Sequence, residues 1–360
     1  MEKIKTEILA KLQNYIEPYT GQDLVSAKSI KISEDEAGLS IQITLGFPAK
    51  RYKQELESKL KTYLTSVPDL PPLSFQIDSV IHAHRVQGGL KPLPGVKNII
   101  AVGSGKGGVG KSTTAVNLAL ALQAEGAQVG ILDADIYGPN QPQMLGICQK
   151  PESKDGKHME PIVSHGLQSM SIGYLVEQRT PMIWRGPMVS TALQQLLYDT
   201  AWKDLDYLIV DLPPGTGDVQ LTLAQKIPVS GAIIVTTPQD IALLDVHKAI
   251  GMFRKVNVPI LGVIENMSLH ICSQCGHQES IFGSGGGELI AKQYEIPLLG
   301  QLPLDIRIRE QTDSGNPTVA ADPDSALSKI YRAIACEASA RLSLRTKNVA
   351  SKFPKIVLGD

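Results

Sequence analysis

Apolar residues recur along this chain with two periods, and the places where one gives way to the other outline its elements. Ile4, Ile8, Leu12 and Ile16 fall four apart and predict an amphipathic helix over 2–17. Stretches 24–33 and 39–45, split by the acidic turn Glu34-Asp35-Glu36-Ala37-Gly38, read as strands. The helical period returns over 50–65, and 73–81 reads as a last strand. This α-β-β-α-β order, over about eighty residues, predicts a small α+β domain, 1–83, able to hold a core of its own. Residues 84–95, with Gly88-Gly89 and Pro92-Leu93-Pro94-Gly95, form a linker, and His82 and His84 at its start are expected on the surface.

From Val96 short apolar runs alternate with longer helical periods. Strands are predicted at 98–102, 128–133, 206–211, 231–236, 260–265 and, shorter, 297–300. Helices are predicted at 111–125, 188–200, 219–226, 241–255, 286–294 and 324–342. The alternation predicts an α/β domain over 96–345, a doubly wound and mostly parallel sheet, with 346–360 as a solvated tail. Ligands of such sheets bind beyond the carboxyl ends of the strands. The candidate chemistry falls at those ends.

Composition adds limits. Hydrophobic residues make up 42% and charged residues 20%, as in ordinary globular proteins. A formal net charge of −1 gives no global reason to expect nucleic acid or an anionic membrane as a partner. No apolar run approaches the ~18 residues that cross a bilayer, and the first residues lack a signal-peptide core, so a cytoplasmic protein is expected. Four cysteines are too few for a disulfide scaffold. Cys148 and Cys336, isolated in sequence, are expected to be buried small hydrophobes.

The segment Gly105-Lys106-Gly107-Gly108-Val109-Gly110-Lys111-Ser112, followed by Thr113, satisfies the P-loop pattern between a strand and a helix. Its N–H groups and the helix N-terminus suit phosphates, so ATP binding is expected. Lys111 is expected along the β- and γ-phosphates and the Ser112 hydroxyl on Mg²⁺. Strand 206–211 closes on Asp211, a Walker B arrangement in which the carboxylate accepts from a Mg²⁺-bound water. Asp133 and Asp135 follow another strand, spaced so that both face the phosphates. The amide of Asn266 can both donate to and accept from an adenine edge. Pro303, in Leu302-Pro303-Leu304-Asp305, is placed on the other side of the base.

Lys106, one residue after the first glycine, makes the loop resemble the deviant Walker A loop of the MinD, ParA and nitrogenase-iron-protein superclass. The resemblance implies an ATPase in which Lys106 reaches the nucleotide of a second subunit. It also implies that Asp135 orients the attacking water, that Asp133 lies near the Mg²⁺ shell, and that 213–217 senses the γ-phosphate. Residues 1–83 resemble the DUF59 domain of iron–sulfur assembly factors in length and element order.

Cys272-Ser273-Gln274-Cys275 supplies two thiols, half of a four-ligand metal site. The residues leave three readings open: an iron–sulfur cluster bridging two chains, zinc closed locally by His270 and His277, or a redox dithiol. With Arg185-Gly186-Pro187-Met188 and the motifs above, in this order, residues 96–335 resemble the Mrp/ApbC family of iron–sulfur cluster carrier ATPases. Ser273-Gln274 stands where that family often has proline. The resemblance implies a slow, switch-like ATPase, a homodimer holding a [4Fe–4S] cluster that it receives from cluster donors and passes to apo iron–sulfur proteins. The rival is a spatial-organisation ATPase of the MinD or ParA kind, acting on membrane or DNA, with a structural zinc at the cysteines.

Overall fold

The structure is a computed structural model that describes residues 2–34, 38–176, 186–272 and 274–348. Parts of four sequence expectations therefore lie outside the described residues: most of the acidic turn at 34–38, Arg185, Ser273 between the cysteines, and the tail from 349 onward.

Helix α1 (Glu2–Leu12), strands β1 (Ile30–Glu34) and β2 (Leu39–Leu45), helix α2 (Tyr52–Leu64) and strand β3 (Leu73–Ser79) form the N-terminal unit. β2 pairs antiparallel with β1 and parallel with β3. Alternation along β2 turns Leu39, Ile41, Ile43 and Leu45 into one core with Ile8, Leu12, Leu56, Leu60 and Leu64. Two elements are shorter than their apolar spacing predicts. α1 stops at Leu12 and leaves Ile16 exposed. Residues 24–29 make a turn, because the Asp23 carboxylate accepts from the N–H of Val25 (3.0 Å) and of Ser26 (2.7 Å) and Lys28 takes φ 54°.

The second unit contains β4 (Val96–Gly103), α3 (Lys111–Ala124), β5 (Val129–Asp133), α4 (Gln141–Met144), β6 (Ile162–Ser164), β7 (Leu167–Ser171) and α5 (Gly186–Tyr198). β8 (Leu205–Asp211), α6 (Asp218–Lys226), β9 (Gly231–Thr236), α7 (Asp240–Lys255) and β10 (Ile260–Glu265) follow. The chain continues through β11 (His270–Ile271), β12 (Gln278–Glu279), α8 (Gly286–Tyr294), β13 (Leu298–Gln301), α9 (Ile306–Asp313), α10 (Thr318–Ala321) and α11 (Ala326–Ser343). Eight strands form one sheet in the order β13-β10-β9-β4-β8-β5-β7-β6, parallel except at the β6–β7 edge. Ile99 to Val102, Leu208 to Val210 and Ile233 to Val235 are buried on both faces, as a sheet covered by helices requires. The unpredicted β6–β7 hairpin turns through His165 (φ 49°) and Gly166 (φ 79°), a two-residue turn with both residues left-handed. Among the described residues no helix is long and apolar enough to cross a membrane.

Two expectations about single residues, and one about the tail, are corrected here. His84 is buried, since its Nδ1 lies 2.9 Å from Asn98 Oδ1 on β4 and its backbone pairs with Lys347. The same pairing draws 346–348 against the linker, so they do not stand free as a tail. Cys148 is exposed: Ile147 beside it turns inward and the thiol therefore turns out. Cys336 is buried as expected, and burial pushes its thiol well above the usual range.

The two units are joined by helices rather than by the linker alone. Tyr331, Ile334, Ala335, Ala338 and Leu342 of α11 belong to the core of the second unit, whereas Cys336 and Ala340 of the same helix complete the core of the first. At the far end of α3, Glu125 accepts from the N–H of Arg51 (2.9 Å) and Tyr52 (3.3 Å) at the start of α2.

Candidate functional site

β4 runs into the glycine-rich loop and α3 leaves it at Lys111. Gly110, the residue before α3, takes φ 81° and carries no capping side chain, so the N–H groups of the first helical turn remain open to an anion. Two positions call for glycine. A Cβ on Gly105 would lie 2.4 Å from the backbone carbonyl of Asp245 on α7, and Gly110 holds a left-handed φ that strains any other residue. The loop walls a cleft of about 250 Å³ that Lys106, Lys111, Ser112 and Thr113 share with Asp135, Asn140 and Pro214.

Beneath the cleft, Lys111 Nζ lies 2.5 Å from Asp211 Oδ1 and 3.1 Å from Ser112 Oγ, and the lysine side chain is only 6% exposed. The second oxygen of Asp211 accepts from Gln141 Nε2 at 2.9 Å. The same Nε2 donates to the Ser112 carbonyl at 3.1 Å, and the Gln141 backbone N–H donates to Asp133 Oδ2 at 3.1 Å. Asp133 also accepts from Ser171 Oγ (3.0 Å) and from the Asp135 N–H (3.1 Å). Asp133 thus lies below the cleft, whereas Asp135 faces it.

Burial, reinforced by the charge of Asp211, pushes the Asp133 carboxyl up to about 7. Burial also raises Asp135, against the pull of Lys111. Three carboxyl groups face one ammonium here, a surplus of hard oxygen donors beside the Ser112 hydroxyl that suits a divalent cation such as Mg²⁺. Gln141 Oε1 is buried there without a hydrogen-bond partner, as fits a site that gains a donor on loading. Gln141 escaped the sequence reading, since a glutamine between Asn140 and Pro142 reads as an ordinary turn residue.

Asn266 and Pro303 do not line the phosphate cleft. Asn266 approaches the loop from behind, its Nδ2 donating to the Val109 carbonyl at 2.9 Å. The segments that carry the two residues run together, with Ser268 N–H donating to the Leu302 carbonyl at 3.0 Å.

The cysteines sit on a tight loop between β11 and β12. Cys272 N–H donates to the His277 carbonyl and Gly276 N–H to the Cys272 carbonyl, both at 2.9 Å. Backbone N–H groups of Cys275 and Gln274 point at the Cys272 sulfur and hold its thiol below the usual range, favouring the thiolate that binds metal. Cys275 is exposed. His270 Nδ1 is turned to the Leu304 carbonyl, at 3.1 Å. Among the described residues no three His, Cys, Asp or Glu side chains gather into one metal-binding group.

Comparison with known proteins gives concordant matches. The NUBPL iron-transfer P-loop NTPase family matches residues 95–338, and the iron–sulfur cluster assembly protein family matches 5–70. The chain is 51% identical to the iron–sulfur cluster carrier protein of Escherichia coli K12, over 95% of this chain and 93% of the relative. It is 52% identical to the mouse iron–sulfur cluster transfer protein NUBPL, over 70% and 80% respectively. Among solved structures, a nucleotide-binding protein from Archaeoglobus fulgidus in complex with ADP superposes with a TM-score of 0.55 at 37% identity, over 61% of this chain and 87% of that one. The cell division ATPase MinD of Pyrococcus furiosus shares the fold, with a TM-score of 0.50 at 24% identity over 67% and 97%.

Proposed function

Because the chain belongs to the NUBPL-type family of iron–sulfur cluster carrier P-loop NTPases, we propose that two copies hold a [4Fe–4S] cargo between them and that ATP gates their contact. The chain is a cluster carrier with an ATP-hydrolysing core, and this reading stands over the spatial-organisation alternative. The observation that carries the two-chain arrangement is the hairpin loop. It offers two thiols, one of them held below the usual thiol range, with no third ligand gathered beside them among the described residues. A tetrathiolate cluster then needs a second chain.

The nucleotide end fits a second copy as well. Ile241 and Leu244 on α7, whose Asp245 abuts Gly105, are 69% and 64% exposed, an apolar surface beside the half-exposed Lys106. In the free site Lys111 is neutralised by Asp211. Phosphates seated on the loop and the start of α3 draw Lys111 towards the β- and γ-positions and release Asp211. Mg²⁺, when bound, offsets phosphate charge; Ser112 and Asp211 would hold it, with Asp133 behind them. Asp135 orients the water that attacks, and Lys106 reaches the nucleotide of the second copy. Asn266 Nδ2 gives one of its two N–H groups to the loop, leaving the other and Oδ1 for an adenine edge, with Pro303 on the other side of the base. Turnover is slow, as suits a switch. The carrier works in the cytoplasm and receives and delivers its cargo by contact with donor and apo iron–sulfur proteins.

Anaerobic reconstitution tests the reading. The expected product is a brown dimer with about 2 iron atoms per chain, as four cysteines from two chains require. Cys272→Ala and Cys275→Ala should lose the colour and keep ATP binding, whereas Cys148→Ala and Cys336→Ala should keep both. One tightly held zinc per chain with no uptake of iron would refute the carrier site, and an iron-loaded monomer would refute the bridge alone.

A further inference from the structure

The geometry points to Gln141 as the residue that positions Asp211 for the metal–nucleotide complex, an inference that rests on the nucleotide reading above. Its amide nitrogen donates at once to Asp211 Oδ2 (2.9 Å) and to the Ser112 carbonyl (3.1 Å), tying the carboxylate at the end of β8 to the loop residue expected to share the cation. Those two acceptors settle which end of the amide is which, since a flipped amide would set its oxygen against a carboxylate and a carbonyl. The backbone N–H of the same residue holds Asp133 Oδ2 at 3.1 Å, so one residue joins three segments of the site. The side chain is buried to 1% exposure, and its Oε1 is left without a partner in a site crowded with acceptors.

Asp211 has two demands on it in the free site, Lys111 on Oδ1 and Gln141 on Oδ2. When phosphates draw Lys111 away, Gln141 is the contact that remains, and it keeps the carboxylate from swinging out of reach of the cation shell. The orphan Oε1 is an acceptor with nothing to accept until a hydrated cation brings a donor. Gln141 touches neither reacting atom, so it is a positioning residue. Its effect should appear in the dependence on Mg²⁺ and not in the affinity for phosphate as such.

The test uses the full chain and a fluorescent ATP analogue, titrated with MgCl₂ and, separately, in EDTA. Gln141→Met conserves volume and removes both polar ends. It should raise the half-saturating Mg²⁺ concentration about tenfold, the scale of a lost hydrogen bond to a charged group. Affinity in EDTA should stay within about twofold, and the melting temperature reports that the variant is folded. Gln141→Asn, too short to bridge Asp211 and Ser112, should show the same shift if Gln141→Met folds poorly. In an Asp211→Asn background Gln141→Met should add no further shift, because the partner through which it acts is gone. An unchanged Mg²⁺ midpoint in both folded variants overturns the inference, as does an equal loss with and without Mg²⁺, which would mark a scaffold for the loop. Failure of the wild-type chain to bind the analogue at all would instead overturn the nucleotide reading beneath it.

Discussion

Replacing Glu125 by alanine should loosen the N-terminal unit from the ATPase unit while leaving the nucleotide cleft intact. α2 has no side-chain cap of its own at Arg51, and the Glu125 carboxylate fills that role from the other unit. Its other oxygen lies 3.5 Å from Arg332 Nε on α11, and both side chains are largely buried. Loss of a helix cap costs about 1 kcal/mol. Leaving a buried arginine without its carboxylate costs about 3–5 kcal/mol when nothing else compensates. Arg332 keeps its contact with the Pro323 carbonyl, so about 2 kcal/mol is the fitting share. The sum is roughly 3 kcal/mol, concentrated where the units meet. Calorimetry should resolve an earlier transition for the N-terminal unit, and limited proteolysis should open the 84–95 linker while Mg-ATP still binds. Glu125→Gln, which keeps an acceptor for the cap but not the charge, should fall between. A Glu125→Ala protein with an unchanged denaturation profile and an intact linker would refute this account of the joint.

Two further outcomes follow from the same geometry. Lys111→Ala should abolish hydrolysis, and mixed with Lys106→Ala subunits it should recover part of the ATPase activity that neither has alone; no recovery despite demonstrated subunit exchange places Lys106 in its own site. Burial holds the His84 imidazole below its usual 6.5, so the folded protein keeps it neutral. The unfolded chain takes up that proton as pH falls through about 6.5, so the stabilisation is full above that pH and is lost progressively down to the folded value. Urea midpoints at pH 7.5 and 5.5 should therefore diverge less in His84→Gln than in the wild type, and equal divergence would exclude His84 as the source.

The nucleotide loop was legible because glycine is needed both where the Asp245 backbone crowds Gly105 and where Gly110 turns left-handed. Asp211 was legible only in company, since many apolar strands end in aspartate and it is the glycine-rich loop with Asp133 and Asp135 that singles this one out. Gln141 was not, since its three partners come from segments far apart in sequence and meet only once the sheet is assembled. His84 misled for a similar reason: the polar side chain that receives it, Asn98, lies at the head of the apolar run Ile99 to Val102 in the same strand. The 24–29 turn was there to be read in Asp23, whose carboxylate outcompetes strand pairing for two N–H groups. The β6–β7 hairpin has its signal in His165-Gly166, a pair that tolerates the two left-handed conformations such a short turn requires.

The sharing of α11 between the two cores bears on the order of events during synthesis. Residues 2–79 leave the ribosome before the ATPase unit, yet their core around Leu45 and Phe47 is finished by Cys336 and Ala340, which leave only after most of that unit. At about 5–20 residues per second the nascent N-terminal unit waits on the order of tens of seconds for its final wall. During that interval its unfinished face is open to solvent and to neighbours. The earlier of the two units is therefore sealed after the later one, and closing it reports that the ATPase unit has been made as far as α11.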